Sequence, residues 1–97
     1  MLTSKQRSNL KSIAANLEPV GQVGKAGIGE NMIKSLSDAL EARELIKVNI
    51  LTNAEEDAKT TGAQLAEALR ADCVAVIGRK AIFYRRSSRK DFKHIEF

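Results

Sequence analysis

The sequence predicts a single α/β domain with elements in the order α-β-α-β-α-β-β. Its 97 residues are enough for one domain with a modest core. Segments with apolar residues at helical spacing alternate with short segments that are typical of strands. Only Gly78-Arg79-Lys80 separates the last two strand candidates, and so short a turn makes that pair antiparallel. The expected fold is a two-layer α/β domain with a four-stranded mixed sheet.

Two helices are predicted in the N-terminal half. Thr3 and Gln6 have the spacing of a capping box, which marks the start of the first helix. Pro19 ends that helix near Leu17, because the residue before a proline disfavours helical geometry. Apolar residues at helical spacing predict the second helix from about Glu30 to Arg43.

Two strand candidates accompany these helices. Residues 20–23 form a short one, and residues 45–51 form a longer one with Lys47 and Asn49 on its polar side. Right-handed crossovers in one direction place the helices on one side of the sheet. We therefore expect the polar side to remain an open face.

The remaining elements are a third helix and the last two strands. Thr52 and Glu55 form a second capping-box pattern, so the helix is expected from about residue 54 to residue 70. Residues 73–77 are continuously apolar, which is typical of a central buried strand. Residues 81–85 form the last strand, and the polar, basic tail from about residue 87 to residue 97 is expected to fray at its end.

Charge is segregated along the chain. The net charge is +3 for residues 1–37, −4 for residues 38–72 and +5 for residues 73–97, which gives the total of +4. Two basic ends around an acidic middle suggest one face for a polyanion and another for solvent.

A glycine-rich loop precedes the second helix. Helix N-termini present unpaired amides and a partial positive charge, and glycines allow a nucleic-acid backbone to approach closely. We therefore predict a phosphate-binding loop made of Gly24, Lys25, Ala26, Gly27, Ile28 and Gly29. The alternative is that the glycines only make a tight connection. A P-loop fits the loop poorly because Ala26 stands where Ser or Thr must hold magnesium, and Met32 interrupts the dinucleotide fingerprint.

Further cations are expected to widen the positive surface, namely Lys47, Arg79, Lys80, Arg85 and Arg86. The alternative is that these charges form an ordinary solvated surface. Charge alone suggests a role in binding for the tail residues Arg89, Lys90 and Lys93. Strand alternation must bury either Phe83 or Tyr84, so core packing is the favoured role for these aromatics.

Catalytic or metal-binding groups are not evident. Cys73 is expected to be a small core side chain, and one cysteine with one histidine, His94, cannot build a structural zinc site. We expect no cofactor, no metal and no enzymatic activity. No apolar run reaches the roughly 20 residues of a membrane span, so a cytoplasmic protein is expected.

Several segments in order resemble the CRM domain (chloroplast RNA splicing and ribosome maturation), particularly its free-standing bacterial YhbY-like members. The resemblance covers about residues 2 to 86, and it is carried by Gly24-Lys25-Ala26-Gly27, Ala42-Arg43-Glu44-Leu45-Ile46-Lys47-Val48, Val76-Ile77-Gly78-Arg79 and Phe83-Tyr84-Arg85. It implies a fold like the C-terminal domain of translation initiation factor three, with the last strand antiparallel to the rest. It also implies RNA binding through the glycine loop, and an association with precursors of the large ribosomal subunit.

The leading hypothesis is therefore a monomeric RNA-binding protein that acts on ribosomal RNA during ribosome assembly. An alternative is a protein-interaction module whose acidic middle, including Glu41 and Glu44, docks on a basic partner. A third hypothesis is an enzyme that uses a small-molecule phosphate at the loop. DNA is a further candidate ligand, since the loop would accept either backbone.

Overall fold

The computed structural model describes residues 2–97. Its elements follow the predicted order: α1 (Ser4–Ala14), β1 (Gly21–Val23), α2 (Glu30–Arg43), β2 (Leu45–Ile50), α3 (Ala58–Leu69), β3 (Asp72–Ile77) and β4 (Lys80–Tyr84). The predicted fold class is confirmed. The predicted bounds of α2 are also the observed ones.

The four strands form one mixed sheet in the order β1-β2-β4-β3. β1 pairs with β2 in parallel, and β4 is antiparallel to both of its neighbours, as expected for the last strand. Because β4 inserts between β2 and β3, β3 lies at the edge of the sheet. The prediction that residues 73–77 form a central buried strand was wrong, and Ile77 is 53% exposed.

One face of the sheet carries α2 and α3. Their side chains pack with alternate residues of the central strands, including Ile46 and Val48 of β2 and Phe83 of β4. This cluster is the larger of the two cores and forms the helix-on-sheet arrangement that the sequence predicted.

The second face is only partly open, which corrects the prediction. Leu10 and Ala14 of α1 pack there against residues of β2, β3 and β4. The guanidinium of Arg7 donates to the carbonyl oxygens of Cys73 and Val74 at 2.7 and 3.2 Å, which ties α1 to β3. The handedness rule could not place α1, because α1 precedes the first strand and belongs to no crossover.

Helix starts depend on which residue caps them. The predicted capping box at Thr3 and Gln6 is present, with the Gln6 amide donating to the Thr3 hydroxyl at 3.1 Å. The predicted start of the third helix was wrong: the Thr60 amide donates to the Asp57 carboxylate at 2.7 Å, and Asp57 caps α3. Hydrogen bonding to Thr60 is the main cause that lowers the pKa of Asp57. Glu55 and Glu56 therefore precede α3 instead of lying in its first turn.

The C-terminal tail is docked on the domain, contrary to the expectation that it frays. Glu44, fully buried between α2 and β2, accepts hydrogen bonds from the Ser87 and Ile95 amides at 2.7 and 2.8 Å and pairs with His94. The Phe97 ring packs edge-on against Tyr84 with centroids 4.8 Å apart. A single carboxylate thus holds both ends of the tail.

This carboxylate makes the docking sensitive to acid. Burial raises the pKa of Glu44, but hydrogen bonds from His94, Ile95 and Ser87 outweigh burial, and the net pKa is lowered. A group with a lowered folded pKa stabilises the fold fully above its unfolded value, near 4.3 for Glu, and loses that contribution as pH falls below it.

We expect the tail to be released as the pH falls below about 4.3 and through the lowered folded pKa of Glu44. Amide hydrogen exchange at Ser87 and Ile95 measures the release, and Glu44→Gln is the control because it removes the titrating group. The same pH dependence in Glu44→Gln and the wild type would contradict the assignment to Glu44.

Candidate nucleic-acid interface

The glycine loop is a tight, exposed turn at the end of β1. The Gly27 amide donates to the Gly24 carbonyl at 3.0 Å, so Lys25 and Ala26 form the exposed tip. Gly27 has a φ of 75°, in the left-handed region that favours glycine. The turn therefore directs the Lys25 ammonium group towards solvent.

The loop leads directly into the N-terminus of α2. Gly29 occupies the N-cap position and has no side chain that could accept the first-turn amides. Gly29, Glu30 and Asn31 are all exposed at this end of the helix. Ile28 is half-buried and packs on the larger core, so it anchors the loop. The helix end thus offers hydrogen-bond donors and a partial positive charge to an anion.

Two other segments meet the loop at the same edge of the sheet, which is the edge where β1 and β2 end and β4 begins. The Leu51 amide donates to the Val23 carbonyl at 2.8 Å, which places the segment after β2 beside the loop. The Arg79 guanidinium donates to the Ile50 and Leu51 carbonyls at 2.8 and 2.6 Å. Arg79 therefore ties the β3–β4 turn to the end of β2, besides placing its charge at this edge.

Lys80 and Arg86 are both exposed but lie far apart. Lys80 begins β4 opposite Asn49, and so lies at the edge that carries the loop. Arg86 follows the other end of β4, about 20 Å away at the spacing of an extended strand. The structure brings Arg79 and Lys80 together with the loop, and it does not bring Arg86 there.

Lys47 and Arg85 do not fit the predicted role of phosphate contacts. Lys47 is only 8% exposed on the central strand β2. The Arg85 guanidinium donates to the Leu69 carbonyl at 2.7 Å and to the Ser37 carbonyl and hydroxyl, each at 2.9 Å, and it lies 3.5 Å from the Glu41 carboxylate. The Arg85 charge serves the interior of the domain, and the Lys47 side chain is mostly covered, which a count of cations along the sequence cannot show.

The acidic docking surface of the alternative hypothesis is also partly internal. Glu44 is fully buried, and Glu41 accepts hydrogen bonds from the Ser88 amide and hydroxyl. Hydrogen bonding to Ser88 is the main cause that lowers the pKa of Glu41. Charge reversal at Glu44 would therefore disturb the fold instead of testing a docking surface.

The loop has an acidic side as well as a basic one. Glu55 and Glu56 line a small cleft with Gly24, Gly27 and Ile28. Arg79 and Lys80 instead line a neighbouring groove whose described lining residues include no carboxylate. A polyanion is repelled from the cleft and attracted to the groove, so its approach has a direction. The sequence did not reveal this asymmetry, because its pattern placed both acids in a helix.

Other side chains at this edge were also not predicted. Asn53, Ile77 and Asn49 line a shallow groove together with Arg79 and Lys80.

Within residues 2–97, no helix is long and apolar enough to cross a membrane, and no group of three or more His, Cys, Asp or Glu side chains is placed to hold a metal ion.

The fold and this edge define a small α/β domain that presents a glycine-rich loop between a strand and a helix. The chain belongs to the CRS1/YhbY (CRM) domain family, whose model matches residues 2–85. The resemblance drawn from the sequence segments is thereby confirmed.

The chain is similar to known proteins over nearly its whole length. It is 47% identical over 96 residues to "Probable RNA-binding protein YqeI" of Bacillus subtilis, covering 99% of this chain and 98% of that protein. It is 35% identical over 86 residues to "Probable RNA-binding protein PA4753" of Pseudomonas aeruginosa, covering 89% and 83%. The solution structure of SAV1595 from Staphylococcus aureus matches with a TM-score of 0.79 at 48% identity, covering 99% of this chain and 98% of that one.

Proposed function

We propose that this protein binds structured RNA by its phosphate backbone, and that the RNA is ribosomal RNA in precursors of the large subunit. The observation that carries the proposal is the exposed Lys25 turn, which leads into a helix N-terminus without a side-chain cap. The names of its relatives support RNA as the ligand. The proposal includes that the protein is a cytoplasmic monomer without enzymatic activity.

The binding mechanism follows from charge and geometry. Gly29, Glu30 and Asn31 are exposed, and amides in the first turn of a helix have no partner within the helix, so they can donate to phosphate oxygens. Lys25 and Lys80 add formal charges, and the contacts would carry little sequence information because phosphates are the same in every RNA. Arg79 keeps the turn in place while contributing to the positive potential.

Lys25→Ala is expected to weaken binding to unrelated RNAs while the fold survives. The salt dependence of the logarithm of the binding constant should become shallower by about 0.9 or less, because one phosphate contact is lost. Fluorescence anisotropy over a series of salt concentrations measures both effects.

Lys11→Ala is the matched control, since Lys11 is an exposed lysine on α1, which packs against the other end of the sheet. Equal binding by Lys25→Ala and the wild type at low and moderate salt would remove the loop from the interface. Crosslinking in cells followed by sequencing tests the ribosomal part of the proposal. Large-subunit ribosomal RNA should dominate the crosslinks, and its absence would refute that part.

A further inference from the structure

Part of the second sheet face remains uncovered where it adjoins the glycine loop. Four residues form a row of direct cross-strand neighbours: Gln22 opposes Asn49, Asn49 opposes Lys80, and Lys80 opposes Ile77. The residues that follow or precede them, such as Val23 and Ala81, belong to the core under α2 and α3. Because side chains alternate along strands, the row points to the opposite face.

α1 does not cover this row. Its buried residues pack on Leu45, Val74, Ile82 and Tyr84, towards the other end of the strands. Ile77 is 53% exposed, and among the described residues only one other large apolar side chain, Ile13 at 38%, is exposed. Apolar residues that are exposed singly are common on protein surfaces, so the significance of Ile77 depends on the groups beside it in the groove.

The groove beside the row combines apolar, amide and cationic groups. Ile77 contributes an apolar surface, and Asn49 and Asn53 contribute amides that can both donate and accept hydrogen bonds. Among the described residues that line it, Arg79 and Lys80 are cations and no carboxylate is present. Its charge therefore complements a nucleic acid.

The groove and the glycine loop are in contact. The Asn53 side-chain oxygen lies 3.3 Å from the position that a β-carbon on Gly24 would occupy. A ligand whose backbone rests on the loop is thus next to the groove.

We propose that this groove receives an unpaired base of the RNA whose backbone the loop holds. A base has apolar faces that match Ile77, and edges with donors and acceptors that match the amides of Asn49 and Asn53. Bases in a paired helix are stacked and cannot enter, whereas those in loops and bulges can be splayed outwards. The inference rests on the proposed RNA binding, and adds that the target carries unpaired nucleotides beside a paired segment.

The test compares two RNA probes: a hairpin with an unpaired loop, and a blunt duplex with the same stem sequence. Ile77→Ser is expected to weaken hairpin binding about five- to tenfold, because apolar contact with the base is lost, and to leave duplex binding unchanged. Ile13→Ser, the matched control on α1, should leave both affinities unchanged. Asn49→Ala is a second, independent variant that should lower the affinity for the hairpin alone. Thermal unfolding confirms that each variant is folded.

The outcomes separate this inference from the proposed function. If Lys25→Ala weakens binding to both probes while Ile77→Ser and Asn49→Ala affect neither, the groove is not a base site and the backbone proposal stands. Equal weakening of both probes by Ile77→Ser would likewise overturn the base site. The wild type is also used to capture proteins from RNase-treated extract. If Ile77→Ser fails to capture a protein that the wild type captures, and its RNA affinities are unchanged, the groove is reassigned to a protein partner and the inference is overturned. If the wild type binds neither probe, both proposals fail.

Discussion

Arg85→Ala is expected to lower the free energy of unfolding by about 2–4 kcal/mol, because partly buried acceptors lose a charged donor. The guanidinium joins the carbonyl of Leu69 at the end of α3 to Ser37 in α2, and Glu41 lies beside it. The substitution removes a hydrogen-bonded link between α2 and α3, which pack on the same face of the sheet. Urea denaturation monitored by circular dichroism measures the change.

Arg86→Ala is the matched control, since Arg86 is the exposed neighbour in sequence. Its unfolding free energy should change by less than about 0.5 kcal/mol, as for most surface substitutions. If Arg85 were a phosphate contact, Arg85→Ala would instead reduce the salt dependence of RNA binding without loss of stability. A wild-type urea midpoint for Arg85→Ala would contradict the structural role.

Glu44→Ala is expected to release residues 87–97 and to lower the free energy of unfolding by about 2–4 kcal/mol. The substitution leaves the amides of Ser87 and Ile95 without their carboxylate acceptor, and removes the partner of His94. Fast amide exchange at Ser87 and Ile95 at neutral pH reports the release, and chemical denaturation reports the stability.

Glu41→Ala separates this effect from a general loss of negative charge. Glu41 is only half-buried and bonds to Ser88 near the start of the tail, so Ile95 should remain protected in that variant. Slow exchange at Ile95 in Glu44→Ala would show that other contacts hold the tail, such as the packing of Phe97 on Tyr84.

The family and the loop are identifiable from the amino-acid sequence, because their signals are local. The order of segments around Gly24-Lys25-Ala26-Gly27 indicates the same family whose model matches residues 2–85. The position of the loop between β1 and α2 follows from apolar periodicity and glycine content. The roles of individual cations do not follow, since a charge in the sequence does not reveal its partner.

The sequence by itself determined the order of the elements, the limits of α2 and the capping box at Thr3. These depend on residues a few positions apart, where hydrogen bonding and side-chain periodicity act. The tertiary structure decided that α1 and the tail cover part of the second face, that β3 is an edge strand and that Arg85 is internal. Each of these depends on contacts between distant residues, which packing of the whole chain selects and no local pattern specifies.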